Sequence, residues 1–201
     1  MTDSVLPTDS HFARLLADIP EGLSHDDIFV KELESCTRLI TVRKGDYLLR
    51  TGEVCQGAYF INRGLFINLY INEKGDESVT GFASDTMYPF LSAIGYFTKT
   101  PSEFEIKAIE DGELLYFARD HIENLSRRYP LFASYYQNVM LTIISKLYMM
   151  FAVRQSCTSE EFLRYLYNHA LWIINRIPDK YIARYMGISQ SWYCKLKKRI
   201  L

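Results

Sequence analysis

The chain has 201 residues with 48% hydrophobic and 23% charged residues, a composition of folded soluble domains that excludes a disordered or collagen-like chain. Its four cysteines, Cys36, Cys55, Cys157 and Cys194, form no CxxC pair, which argues against a disulfide scaffold or a zinc ribbon and suits a reducing cytosol. The net charge of −1 hides an asymmetry: residues 1–118 hold 10 Lys and Arg against 19 Asp and Glu, whereas residues 119–201 hold 13 against 5. Within 176–201, seven basic residues face the single acid Asp179, the footprint of a polyanion-binding end.

The opening MTDSVLPTDS lacks a basic start and an apolar run, so no signal peptide is expected. Residues up to about 36 read as a loose helical lead-in. The most apolar stretch, Val139 to Val153, is short for a bilayer span and carries Lys146, so a cytoplasmic protein with no membrane partner is expected.

From Thr37 to Phe117 the chain reads as short strands between glycine turns: 38–42, 47–50, 58–62, 66–71, 78–82, 104–109 and 114–117. Asn72-Glu73-Lys74-Gly75-Asp76 is a hairpin tip. Many short strands at this spacing predict a sandwich or barrel.

After Arg119 the pattern becomes helical. His121–Tyr129 predicts a short helix before Pro130, and Leu131–Arg154 a long one. Tyr136, Met140, Ile143, Leu147 and Met150 recur at alternating spacings of four and three, the seam of a paired helix. Leu141, Ile144, Tyr148 and Phe151 make a second stripe. Two stripes need two partners, either the chain's own β domain and a second subunit or one domain that buries both. The dimer is the reading carried forward. Thr158 and Glu161 form a capping box that opens a helix to about Asn175.

The last 24 residues carry the most chemistry. Pro178 suits a first helical turn, Gly187 a left-handed helix end, and Ser189 the N-cap of a second helix. This is helix-turn-helix spacing. On the second helix Tyr193, Leu196 and Ile200 fall on one side, and Ser191, Cys194, Lys195 and Lys198 on the other, with Gln190 at the N-terminal end. Gln can pair with adenine, Lys can reach guanine O6 and N7, and Ser can take either role. Arg184, Lys197, Lys198 and Arg199 are assigned to phosphates. Trp192 either flanks the DNA backbone or closes the small core. A basic amphipathic helix on a membrane or a partner protein is the bland alternative.

Lys44-Gly45-Asp46, Gly52-Glu53 and Tyr59-Phe60-Ile61-Asn62-Arg63-Gly64 resemble the strand-and-turn signature of the cyclic-nucleotide-binding β-roll. The order β-roll, long helix, terminal helix-turn-helix resembles the Crp/Fnr family of bacterial transcription regulators from about residue 37 onward. The fold class expected is therefore α+β: an N-terminal antiparallel β-roll (a double-stranded β-helix or jelly roll), a long dimerisation helix and a C-terminal all-α helix-turn-helix domain. The domains expected are 1–130, 131–157 and 158–201. The chain ends at Leu201, directly after the second helix, so no β-hairpin wing is expected.

The resemblance implies a homodimer on a near-palindromic stretch of double-stranded DNA, contact with RNA polymerase, and base reading by Gln190, Ser191 and Lys195. Family members that bind cyclic nucleotides use a cassette with a Gly-Glu pair for the ribose and an Arg for the cyclic phosphate. Here that region runs from Tyr88-Pro89-Phe90 to Pro101-Ser102-Glu103-Phe104, with no acid between Asp85 and Glu103 and no Arg between Arg63 and Arg119. Ser102 stands at the Arg position, with Glu103 and Glu105 nearby. An anionic phosphate needs a paired cation, so cyclic AMP is not expected to bind in the usual way. Tyr88, Phe90, Ser102, Glu103 and Phe104 make a degenerate effector pocket, either filled core or the seat of an apolar ligand. The effector is left unassigned, and no cofactor is implied.

The four His and four Cys are scattered, so no iron–sulfur or metal site is expected, and Cys194 on the polar face is read as a passenger. No His lies between His25 and His121, which removes a cupin-type metal cluster, and no catalytic motif is present, so an enzyme is not expected. The remaining alternative is a non-enzymatic ligand-sensing or protein-docking module with a basic helical tail.

Overall fold

The computed structural model describes residues 11–93 and 95–200. The opening ten residues, and with them the expectation about a signal peptide, lie outside these. Three short helices come first: α1 Ala13–Asp18, α2 Glu21–Ser24 and α3 Asp27–Ser35. Asp26 caps α3, its carboxylate accepting from Ile28 N at 2.9 Å and Phe29 N at 3.1 Å. These helices are not loose. Leu15, Leu16, Ile19, Leu23, Phe29 and Leu33 are buried in the main core, which corrects the lead-in expectation. The apolar spacing of so short a segment shows one face, but not that the face has a partner.

Eight strands follow: β1 Thr37–Val42, β2 Tyr47–Leu49, β3 Gly57–Arg63, β4 Leu65–Ile71, β5 Glu77–Ser84, β6 Phe90–Leu91, β7 Phe104–Ala108 and β8 Gly112–Ala118. They form two four-stranded sheets, ordered β1-β8-β3-β6 and β2-β7-β4-β5. The pairs β1/β8, β3/β8, β3/β6 and β2/β7 are antiparallel. One core draws Phe60, Ile61, Leu114 and Leu115 from the first sheet and Leu49, Phe66, Ala83 and Ile106 from the second. Seven strands were legible as alternating or β-branched runs. The eighth, β6, has only two residues and shows no periodicity. Gly64 (φ +116°) joins β3 to β4 where Gly112 Cα would lie 2.9 Å from any Cβ, so this turn requires glycine.

Helix α4 (Gly95–Thr98) lies between β6 and β7, and α5 (Arg119–Arg128) and α6 (Pro130–Ser156) follow the sheets. Proline at the first position of α6 costs no hydrogen bond. The rest is helical: α7 Ser159–His169, α8 Leu171–Arg176, α9 Asp179–Tyr185 and α10 Gln190–Ile200. The single helix expected to reach Asn175 is broken at Ala170 (φ −143°, ψ 45°). No helix among the described residues is long and apolar enough to cross a membrane.

The chain divides into two compact units. One runs to Ile67 and resumes over Phe82–Thr142; the other holds Asn68–Gly81 and Ile143–Leu201. In the first, Phe29 is fully buried with Tyr129 at 4.9 Å and Phe132 at 5.7 Å between ring centroids. Replacing Phe29 by Ala should therefore destabilise the protein by about 3–5 kcal/mol, read from urea unfolding. A loss under about 1 kcal/mol would mean that α3 is a dispensable appendage.

Candidate nucleic-acid interface

The C-terminal site is built from local rules. Thr158 caps α7: Glu161 N donates to Thr158 Oγ1 at 3.3 Å and Thr158 N donates to Glu161 Oε2 at 2.8 Å, the capping box the sequence predicts. The Thr158 backbone and hydroxyl donors hold the Glu161 carboxyl below its usual range.

Helix α9 ends at Gly187, whose φ of +64° is the left-handed conformation glycine allows. Ile188 N donates to Ala183 O at 3.0 Å and Gly187 N to Arg184 O at 3.2 Å. These two bonds are a Schellman ending, which satisfies carbonyls left over by the helix. Ser189 then caps α10, accepting from Trp192 N at 3.2 Å. From α6, Arg154 Nη2 donates to Met186 O and holds the turn from outside.

Helix α10 packs on α9 and α7 through Tyr193 and Leu196, both buried, against a core that includes Phe162, Leu166, Ile182, Ala183 and Met186. That burial decides the opposite face. Gln190, Ser191, Lys195 and Lys198 are exposed, as the sequence predicts for the reading side. Trp192 is 43% exposed, so it does not close the core. Cys194 is half-buried.

The residues assigned to phosphates are not bare. Arg184 Nη1 pairs with Glu77, Lys197 Nζ lies 2.7 Å from Asp179 Oδ1, and Arg199 Nη2 pairs with Glu160. These carboxylate partners were not foreseen. They stand 107, 18 and 39 residues away, beyond any local pattern.

The stripe expected to form the dimer seam is mostly half-buried: Tyr136, Met140, Ile143 and Met150, with only Leu147 exposed. Tyr136 stacks on Phe132 at 6.4 Å. The second stripe is the open one, with Ile144 61%, Tyr148 73% and Phe151 61% exposed, beside exposed Leu141.

In the first unit, the residues assigned to an effector pocket are dispersed between core and surface. Ser102 is buried and satisfied locally: its Oγ donates to Phe104 O at 2.8 Å and accepts from Phe104 N at 3.1 Å. Phe104 is half-buried, and Glu103 is exposed, so the enclosed carboxylate is Glu105, 8% exposed on β7. Tyr88 holds a φ of +56°, and Phe90 packs on Phe60 at 5.1 Å and Tyr135 at 6.1 Å. A half-buried cation comes from elsewhere. The Arg119 guanidinium sits 5.1 Å from the Tyr96 ring centroid and donates to Cys55 O at 2.6 Å. Its position at a strand–helix junction gave no sequence signal. No group of three or more His, Cys, Asp or Glu that could hold a metal ion exists among the described residues.

Residues 39–129 match the cyclic nucleotide-binding domain family. The chain is also similar to solved structures. FixK2 from Bradyrhizobium japonicum superposes with a TM-score of 0.68 at 12% identity, covering 81% of this chain and 83% of that one. CLP from Xanthomonas campestris, a c-di-GMP responsive global regulator, gives 0.65 at 13% identity over 85% and 89%. A Crp/Fnr family regulator from Eubacterium rectale gives 0.67 at 14% identity over 94% and 87%. No curated protein matches the sequence significantly. Residues 39–129 thus resemble a cyclic nucleotide-binding domain, and the chain as a whole shares the fold of these solved structures.

Tyr193 is fully buried, its hydroxyl has no hydrogen-bond partner among the described residues, and burial pushes its pKa up to about 12. Removing an unsatisfied buried hydroxyl should stabilise, so Tyr193→Phe should raise stability by about 1 kcal/mol in chemical denaturation. A loss of similar size would reveal a bound partner for that oxygen.

Proposed function

We propose that the chain is a sequence-specific DNA-binding transcription regulator that acts as a homodimer, with α9, the Gly187 turn and α10 as its helix-turn-helix. The observation that carries this reading is the partition of α10. Tyr193 and Leu196 are buried, while Gln190, Ser191 and Lys195 stand exposed on a basic helix. Gln190 and Ser191 enter the major groove at the helix N-terminus and Lys195 one turn later. Arg184, Lys197, Lys198 and Arg199 bind phosphates on either side. Residues 1–130 serve as the effector domain, 131–157 as the dimer helix and hinge, and 158–201 as the DNA-binding domain.

The dimer rests on α6. Its exposed stripe of Leu141, Ile144, Tyr148 and Phe151 is too apolar to face water in the working protein. Leu147 and Met150 extend the seam on one side, and Tyr136, Met140 and Ile143 support it. Two-fold symmetry places half-site centres about 34 Å apart on a near-palindromic operator. RNA polymerase is the expected protein partner, as in regulators of this fold, and the protein catalyses no reaction.

The effector pocket is degenerate. Phe90 fills space against Phe60 and Tyr135, and the only enclosed carboxylate on β7, Glu105, repels a phosphate. Calorimetric titration with cyclic AMP should show no binding at micromolar concentration. Micromolar affinity would overturn the pocket assignment while leaving the DNA reading intact.

Lys195→Ala should cost about 1–3 kcal/mol on a selected site and far less on random duplex. Equal losses on both would move Lys195 from the base edges to the backbone.

A further inference from the structure

The cations that face phosphate are held by the chain's own acids, and one of those acids comes from the β-hairpin. The hairpin tip is closed by its own hydrogen bonds. Asn72 Oδ1 accepts from Lys74 N and Asp76 N, both at 2.9 Å, Asn72 Nδ2 donates to Asp76 Oδ2 at 3.1 Å, and Gly75 takes φ +83°. Glu77 follows as the first residue of β5. Four residues on, β5 passes α6 at Gly81, where Leu147 Cδ2 lies 3.9 Å from the position of a Cβ. The hairpin is thereby seated in the same compact unit as α9 and α10, and Glu77 reaches Arg184.

From this geometry we propose an autoinhibitory latch: the Glu77 carboxylate occupies Arg184 in place of a DNA phosphate and must be displaced when DNA binds. The proposal rests on the DNA-binding reading above. Asp179 on Lys197 and Glu160 on Arg199 act in the same sense, but both belong to the helical segment itself. Glu77 alone among these three acids belongs to the β4–β5 hairpin, so the latch ties that hairpin to the phosphate-binding face. The pair is partly exposed, with side chains 41% and 36% accessible, which suits a contact that must open.

Displacement has an ionic signature. A free Arg184 that meets a phosphate releases about one counterion from DNA, and log K falls by about 0.9 per tenfold rise in salt for each such contact. When the phosphate must first displace Glu77, the freed carboxylate takes up a cation from solution. The net release is smaller and the salt dependence shallower. Removing the carboxylate restores the full slope.

The test uses the full-length protein, a duplex selected from a random pool, and fluorescence anisotropy across a potassium chloride series. Glu77→Gln should bind about two- to five-fold tighter than the wild type. Its log–log salt slope should steepen by about one unit. Glu77→Ala, which removes the same carboxylate, should shift both quantities in the same direction. Glu73→Gln, an equal charge change at the exposed hairpin tip, should leave the slope unchanged. A Glu77→Gln affinity and slope equal to the wild type, or equal shifts in Glu73→Gln, would overturn the latch while the DNA reading stands. Absence of DNA binding in every form would overturn both.

Discussion

The turn at Gly187 is the constraint on which the functional surface depends. A φ of +64° with two bonds back to Ala183 and Arg184 reverses the chain in one residue. A side chain there would be strained twice over, by the left-handed backbone and by Arg154 Nη2 at 3.2 Å from its Cβ. With the angle set, Tyr193 and Leu196 are buried, as are Phe162 on α7, Ile182 on α9 and Met186 at its end. The face bearing Ser191, Lys195 and Lys198 then has no choice but to look outward. The surface chemistry of α10 is in this sense a consequence of its packing.

Much of this was legible in the residues. Gly187, Ser189 and the Thr158–Glu161 box each act on groups within five residues, and local rules read them correctly, whereas Pro178, expected in the first helical turn, is the N-cap just before α9. The strands showed themselves by alternation except for β6, which is held by pairing of Tyr59 and Phe60 with Leu91 and Phe90 rather than by any pattern of its own. The break at Ala170 gave no signal, since Ala-Leu-Trp-Ile contains no helix breaker. Tertiary packing of Ile173 and Ile174 outweighs helix propensity there. The ion pairs were invisible because Coulomb partners are chosen in space, and Glu77 lies 107 residues from Arg184.

The first unit shows a related conflict between family and chemistry. The strand framework resembles that of a cyclic nucleotide-binding domain, and in it Ser102 spends its hydroxyl on Phe104. A guanidinium is present, but it is Arg119, turned to Tyr96 and Cys55 O. Aromatic packing of Phe90 against Phe60 and Tyr135 stabilises this region.

The most direct measurement is selection of bound duplexes from a random pool by the purified protein at two salt concentrations. A dimeric DNA reader should enrich a motif with two-fold symmetry and half-sites about one helical turn apart, and its binding should weaken steeply with salt. Enrichment of no sequence, with binding that salt leaves unchanged, would contradict this reading and point to a protein partner for the basic face of α10.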